Sequence, residues 1–243
     1  MITALSSAIS APHADPVLAV RDLAKSFTLH LQGGLKLPVV SGVSFDVAAG
    51  ECVALGGPSG AGKSSILKMI FGNYRIDAGS VRLADADAVV DVAQAAPREI
   101  LRLRQHRMAY VSQFLRVIPR VGAREVVAEP LLAEGVPASQ AIARAEALLD
   151  RLNLPERLWR LPPATFSGGE QQRVNVARGF IGSQSLLLLD EPTASLDAAN
   201  RAVVIALIAE KKAQGCALVG IFHDTETREA AADRVVDVTR FSA

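Results

Sequence analysis

The run Gly57-Pro58-Ser59-Gly60-Ala61-Gly62-Lys63-Ser64 fits the pattern G-x-x-x-x-G-K-[ST], and that spacing limits the possible folds more than any other feature of the chain. The pattern works where a buried strand enters a glycine-rich loop that opens directly into a helix. Both flanks comply: Cys52-Val53-Ala54-Leu55 is a short apolar run, and Ser64 to Phe71 reads as a helix stopped by Gly72. Glycines let the backbone approach an anion closely, while the helix start offers unpaired amides and a partial positive charge. A phosphate is the anion this geometry suits. Lys63 is expected to reach the β- and γ-phosphates of a nucleotide, and the Ser64 hydroxyl to complete the shell of a bridging magnesium ion.

Two further segments carry chemistry. Leu186 to Leu189 reads as a buried strand ending in Asp190-Glu191. Asp190 is placed to hold the metal directly or through water, and Glu191 is the candidate general base for water attacking the γ-phosphate. Ser167-Gly168-Gly169, followed by Glu170, opens a helix whose inward positions include Val174, Ala177 and Ile181. A serine followed three residues later by glutamate is the ordinary pattern of helix capping. A serine hydroxyl beside helix-start amides also suits an anion.

The rest of the chain reads as α/β. Val17 to Phe27 and Val39 to Val47 have strand-like spacing, with turn residues at Gln32-Gly33-Gly34, and predict an antiparallel sheet. From about residue 97 to 170 the pattern becomes helical: Ile142, Ala145, Leu149 and Leu152 recur at three and four, and prolines punctuate the segment. This predicts a helical insertion. Leu186 to Leu189, Ala217 to Phe222 and Val235 to Val238 are apolar runs separated by helical stretches, the pattern of a largely parallel buried sheet. A length of 243 residues allows one core with a smaller lobe, placed at residues 17–243 behind a disordered tail at 1–16. That tail lacks the basic start and compact apolar block of a secretory signal.

Lysine and arginine total 26 against 25 aspartate and glutamate, so charge gives no reason to expect nucleic acid. No stretch approaches the roughly 20 apolar residues needed to cross a bilayer, so any membrane partner is another chain. Cys52 and Cys216 are too few and too far apart for a metal site or disulfide framework, and read as reduced core residues of a cytoplasmic protein.

Taken together, the loop at Gly57 to Ser64, the Ser167-Gly168-Gly169-Glu170-Gln171 segment and Asp190-Glu191 resemble the defining set of the ATP-binding cassette (ABC) family. The resemblance implies a P-loop NTPase fold of ABC type: a mostly parallel, RecA-like core sheet, an antiparallel N-terminal β-subdomain and a helical subdomain. It implies hydrolysis of ATP with Mg2+, by two subunits paired head to tail. Ser167, Gly168, Gly169 and Glu170 of one subunit would then close over ATP held by Gly57 to Ser64 and Ser65 of the other. Carried over by position, Gln113 resembles the glutamine that contacts magnesium and senses the attached partner. His223 resembles the switch histidine that touches the γ-phosphate. Asp197, in Ser195-Leu196-Asp197, matches the loop that communicates across the dimer. Phe27 stands near the place of the aromatic residue that stacks on adenine, and a core phenylalanine is an equal reading of it. Glu170 and Ser65 are mild variants of the glutamine and threonine common at those places. His13, His30 and His106 match no motif.

A closer similarity runs through Phe27-Thr28-Leu29-His30, Leu37-Pro38-Val39, Val111 to Arg120, Leu154 to Trp159 and Arg173 to Ile181. These segments resemble the L subunits of bacterial phosphonate carbon-phosphorus lyase systems. That membership implies, with companion subunits, formation of α-D-ribose 1-methylphosphonate 5-triphosphate from methylphosphonate and ATP, with adenine displaced on a partner. The alternative is the ATPase subunit of a membrane transporter, notably of the lipoprotein-releasing kind, in which the S-G-G-E-Q-Q-R segment is also typical. A third reading, a scaffold that uses ATP only to dimerise, is opposed by the intact Glu191 and His223.

Overall fold

The chain opens with two long strands, β1 (Leu18–Leu29) and β2 (Leu35–Val47), paired antiparallel with Leu18 opposite Val47. The computed structural model describes residues 15–29, 33–86, 88–115 and 119–241. Most of the expected tail, together with His13, His30, Gln32 and the segment 116–118, therefore lies outside the described residues. β3 (Cys52–Gly56) is buried throughout and leads through the glycine loop into α1 (Lys63–Ile70), as the motif requires. β4 (Ala78–Asp85) and β5 (Ala88–Asp91) return to β1 and complete a four-stranded antiparallel sheet in the order β2-β1-β4-β5.

The second sheet is parallel, in the order β6-β7-β8-β3-β9. It draws on β6 (Met108–Val111), β7 (Leu186–Asp190), β8 (Ala217–Ile221) and β9 (Arg234–Asp237). Between them run α2 (Pro97–His106), α3 (Ala123–Ala133), α4 (Ala138–Arg151), α5 (Gly168–Phe180), α6 (Ala198–Ala213) and α7 (Thr225–Ala231).

Within the span expected to be helical from 97 to 170, one segment is a strand. Met108 to Val111 pair in register with Leu186 to Leu189 and form the edge strand of the parallel sheet, so α2 precedes a core strand. Four residues are too few to show a two-residue period against flanking helices. Pro130 likewise lies inside α3 rather than ending it. Its ring removes one backbone hydrogen bond, and the buried Val126, Val127 and Leu131 offset that loss.

The parallel sheet separates two apolar layers. Leu186 and Leu188 pack with β1, β2, β4 and Ile66, Leu67, Met69 and Ile70 of α1. Leu187 and Leu189 point the other way, toward α3, α4, α5 and α6. Successive side chains of a strand alternate faces, so a strand covered on both sides reads as uninterrupted leucine. Each fully buried leucine contributes about 2 kcal/mol of transfer free energy, which fixes the level at which Asp190 leaves the sheet. Cys52 and Cys216 are buried and unpaired, and burial pushes their thiols up to about 12 and about 11, away from reactive thiolate. No helix among the described residues is long and apolar enough to cross a membrane.

Candidate active site

The loop after β3 turns sharply because Gly57, Gly60 and Gly62 hold φ of 126°, 83° and 93°. Lys63, at the start of α1, folds back over that turn, and its Nζ donates to the carbonyls of Gly57 and Pro58 at 2.7 Å each. The cation thus stands over a concave backbone whose next residues open a helix. Ser59, Gly60, Gly62, Lys63, Ser64 and Ser65 line a cavity of 210 Å³ whose other wall is Val39, Ile221, Glu191 and His223.

Behind the loop, the Ser64 hydroxyl donates to Asp190 Oδ1 at 3.0 Å, and the Tyr110 hydroxyl donates to Asp190 Oδ2 at 2.8 Å. Asp190 is buried at 4% exposure. A hydroxyl and a carboxylate side by side are hard oxygen donors, the type magnesium takes when phosphates and water fill its other positions. The residues therefore fit the ion.

Glu191 follows with φ of 55°, a left-handed backbone for a residue that is not glycine. The bend turns its carboxylate out of the strand and into the cavity. Gln113 Nε2 donates to Glu191 Oε2 at 3.3 Å, and His223 Nε2 lies 4.0 Å from Glu191 Oε1. Each of the two carboxylate oxygens thus has its own neighbour.

Ser167, Gly168, Gly169 and Glu170 lie at the start of α5, outside the lining of this cavity. Ser167 caps the helix, and its backbone N–H and hydroxyl both donate to Glu170 Oε2 at 2.8 Å. Those donors, the hydroxyl first, hold the Glu170 carboxyl below the usual carboxylate range. Ser167 and Gly168 are exposed. Asp197 caps α6, accepting the Asn200 backbone N–H at 2.8 Å, and it too is lowered by that bond first. Phe27 stands apart from the cavity wall, on β1, with its ring edge-on to Tyr74 at 5.4 Å and Lys25 Nζ 5.3 Å from its centroid.

Sequence reasoning missed Tyr110, Val39, Gln172 and Asn175. Tyr110 and Val39 carry no signal beyond sitting on strands. The two amides are residue types usual on a surface, yet they are buried at 4% and 5%.

The family model for ABC transporters matches residues 40–194. The chain belongs to the ABC transporter family. As such it is an ABC ATPase that binds ATP with Mg2+. The cassette is 42% identical over 223 residues to the lipoprotein-releasing system ATP-binding protein LolD 2 of Caulobacter vibrioides, covering 91% of this chain and 94% of that one. It is 38% identical over 228 residues to the pyoverdine export ATP-binding/permease protein PvdT of Pseudomonas putida, covering 93% of this chain. There the cassette spans 33% of the relative's length, about a third, so the whole-protein activity of such relatives is not carried over. A dimeric structure of MJ0796, a bacterial ABC transporter cassette, superposes with a TM-score of 0.82 at 25% identity, over 91% of this chain and 95% of that one.

Proposed function

We propose that this cassette hydrolyses ATP within a head-to-tail pair of cassettes, with Glu191 as general base. One observation carries the reading: Ser64, Glu191 and His223 line one cavity, Asp190 accepts from Ser64 and Gln113 donates to Glu191, so four separate segments of chain meet there. The amides of Gly57 to Ser64, with Ser65, and the Lys63 ammonium bind the phosphates. Ser64 and Asp190, with Gln113, would hold Mg2+, which when bound neutralises charge on the β- and γ-phosphates. Glu191 takes a proton from the attacking water, oriented by Gln113 on one side and His223 on the other. Phe27 is assigned to the adenine, supported by its 36% exposure. Ser167, Gly168, Gly169, Glu170 and Asp197 face the second cassette, supported by the exposure of Ser167 and Gly168. Residues 17–243 form the cassette, α3 and α4 belong to its helical subdomain, and its setting is cytoplasmic.

Two readings describe what the cycle drives. The names of the relatives favour the first, the ATPase subunit of a membrane transporter of the lipoprotein-releasing kind, with a permease as partner. The second is an L subunit of the phosphonate carbon-phosphorus lyase pathway, partnered by other subunits of that pathway in making α-D-ribose 1-methylphosphonate 5-triphosphate. Its support is the set of segments Phe27 to His30, Leu37 to Val39, Val111 to Arg120, Leu154 to Trp159 and Arg173 to Ile181. In Val111 to Arg120, Phe114 is 77% exposed beside a cavity of 570 Å³ lined also by Gln113 and Leu115, which supports a partner being met at these three residues.

The Glu191→Gln variant tests the common part. It should bind ATP yet hydrolyse it at least about a hundredfold more slowly, the usual loss for a positioned base. Near-normal turnover would take Glu191 out of its role. Purification of the tagged full chain from its own cells separates the two partner readings: a permease supports transport, and a soluble phosphonate-processing complex supports the lyase pathway.

A further inference from the structure

Helix α5 carries two buried amides one turn apart. Asn175 Nδ2 donates to the Ser112 carbonyl at 2.5 Å and lies 3.5 Å from Gln172 Oε1. Gln172 Nε2 in turn donates to the carbonyls of Glu191 at 3.3 Å and Pro192 at 3.0 Å. Ser112 is the residue before Gln113, whose side chain returns to the Glu191 carboxylate at 3.3 Å. The contacts therefore close a ring: Glu191 carboxylate, Gln113, Ser112 carbonyl, Asn175, Gln172, Glu191 carbonyl. Buried amides are kept only where their bonds are made, since an unpaired one is costly.

The same helix has no slack at either end. A Cβ on Gly179 would lie 2.3 Å from Val111 Cγ2, immediately before Ser112. A Cβ on Gly169 would lie 2.9 Å from the Ser195 carbonyl, in the loop after Glu191. A helix pressed on both segments carries them with it when it moves.

We propose that Asn175 and Gln172 are positioning residues that set the separation of Gln113 and Glu191 from the helix whose first turn meets the other cassette. The inference rests on the sandwich reading above. It makes α5 a strut between two sites: its start touches the nucleotide held by the partner, and its buried amides hold the base of its own chain. Neither amide touches substrate. Gln172 acts through the backbone of Glu191, and Asn175 through the Ser112 carbonyl, one residue before Gln113.

The test uses the full chain and measures steady-state hydrolysis, normalised to the fraction of chains that bind a fluorescent ATP analogue. Asn175→Leu keeps volume and removes the donor. We expect kcat to fall about tenfold while KM for ATP stays within about twofold, the pattern of a group lost from the transition state alone. Asn175→Asp, with the same shape, should show the same fall, which guards against a folding defect of the leucine variant. Gln172→Met should also lower kcat, and the double variant should be no slower than the worse single, because the two act as one unit. A residue that merely stabilises the fold would lower the melting temperature and the binding-competent fraction, leaving normalised kcat unchanged. That outcome, or additive losses in the double variant, overturns the proposal. A wild-type chain that never hydrolyses ATP, alone or in its purified assembly, sinks the ATPase reading as well. An active wild type beside a fully active Asn175→Leu sinks this proposal only.

Discussion

Gly62 and Gly60 share a left-handed backbone but not a neighbourhood. At Gly62, with φ of 93°, a Cβ would stand 2.6 Å from Val40 Cγ1 and 3.0 Å from Val39 Cγ1. At Gly60, with φ of 83°, a Cβ meets nothing within 4 Å. The two positions separate backbone strain from collision. Strain alone is worth about 1 kcal/mol, so Gly60→Ala should lower the melting temperature by about 2 to 4 °C in a chain of this size. Gly62→Ala adds the clash with two valines and should reach at least about 2 kcal/mol, or roughly 4 to 8 °C. Calorimetry without nucleotide checks both. Equal losses would mean that β2 gives way and that the valines do not hold the loop. The strained φ of Glu191 and Ser195, 55° and 61°, belongs to the same scale: side chains there are aimed by a backbone that only surrounding packing maintains.

Asp85 joins elements that belong to different sheets. It ends β4 in the antiparallel sheet, is 8% exposed, and accepts Arg102 Nη2 of α2 at 2.5 Å and Arg107 Nε, just before β6, at 2.6 Å. The Arg102 bond holds its carboxyl below the ordinary 3.8; burial opposes this, and Arg107 adds to it. A carboxyl lowered by folding stabilises fully above its unfolded value and loses that contribution as pH falls through the folded one. Asp85→Asn should therefore cost about 2 kcal/mol at pH 7, the scale of hydrogen bonds to charged partners. The gap to wild type in urea titrations should narrow as pH drops below about 4. A gap that stays constant with pH would mean the bridge contributes shape and not charge. This joint was invisible in the sequence, because Asp85, Arg102 and Arg107 are ordinary surface residue types that only the packing of two sheets brings together. The elements whose signal is local were legible: Cys52 to Leu55, the glycine loop, the four leucines of β7 and the three-and-four spacing of α4. β6 was hidden by its brevity. Gln172 and Asn175 were hidden because a buried amide looks like a surface one until its carbonyl partners are placed beside it.

At the scale of the whole molecule, the proposed site draws on two groups of residues that do not line the same cavity within a single copy. The phosphate loop and Glu191 line one cavity, while Ser167 and Gly168 stand exposed at the start of α5. In the head-to-tail pair proposed above the second group would come over the first, and the dimeric relative shares this fold over 95% of its length. Gly168 offers a clean way to separate folding from pairing. A Cβ there meets nothing within 4 Å and its backbone is not left-handed, so a side chain is accommodated in the isolated chain. Ser167 is a poorer choice, because its cap bonds with Glu170 hold the helix start and their loss would cost about 1 kcal/mol. Gly168→Asp places a carboxylate where the facing triphosphate would come, and like charges set against each other cost several kcal/mol. We expect an unchanged melting temperature, unchanged ATP affinity at the phosphate loop of the monomer, and hydrolysis reduced at least about tenfold. In the Glu191→Gln background, where slow turnover lets ATP-bound pairs accumulate, Gly168→Asp should abolish the ATP-dependent dimer seen by light scattering. Full hydrolysis in Gly168→Asp would mean that the start of α5 faces solvent throughout the cycle, and each copy would have to complete its site without the other.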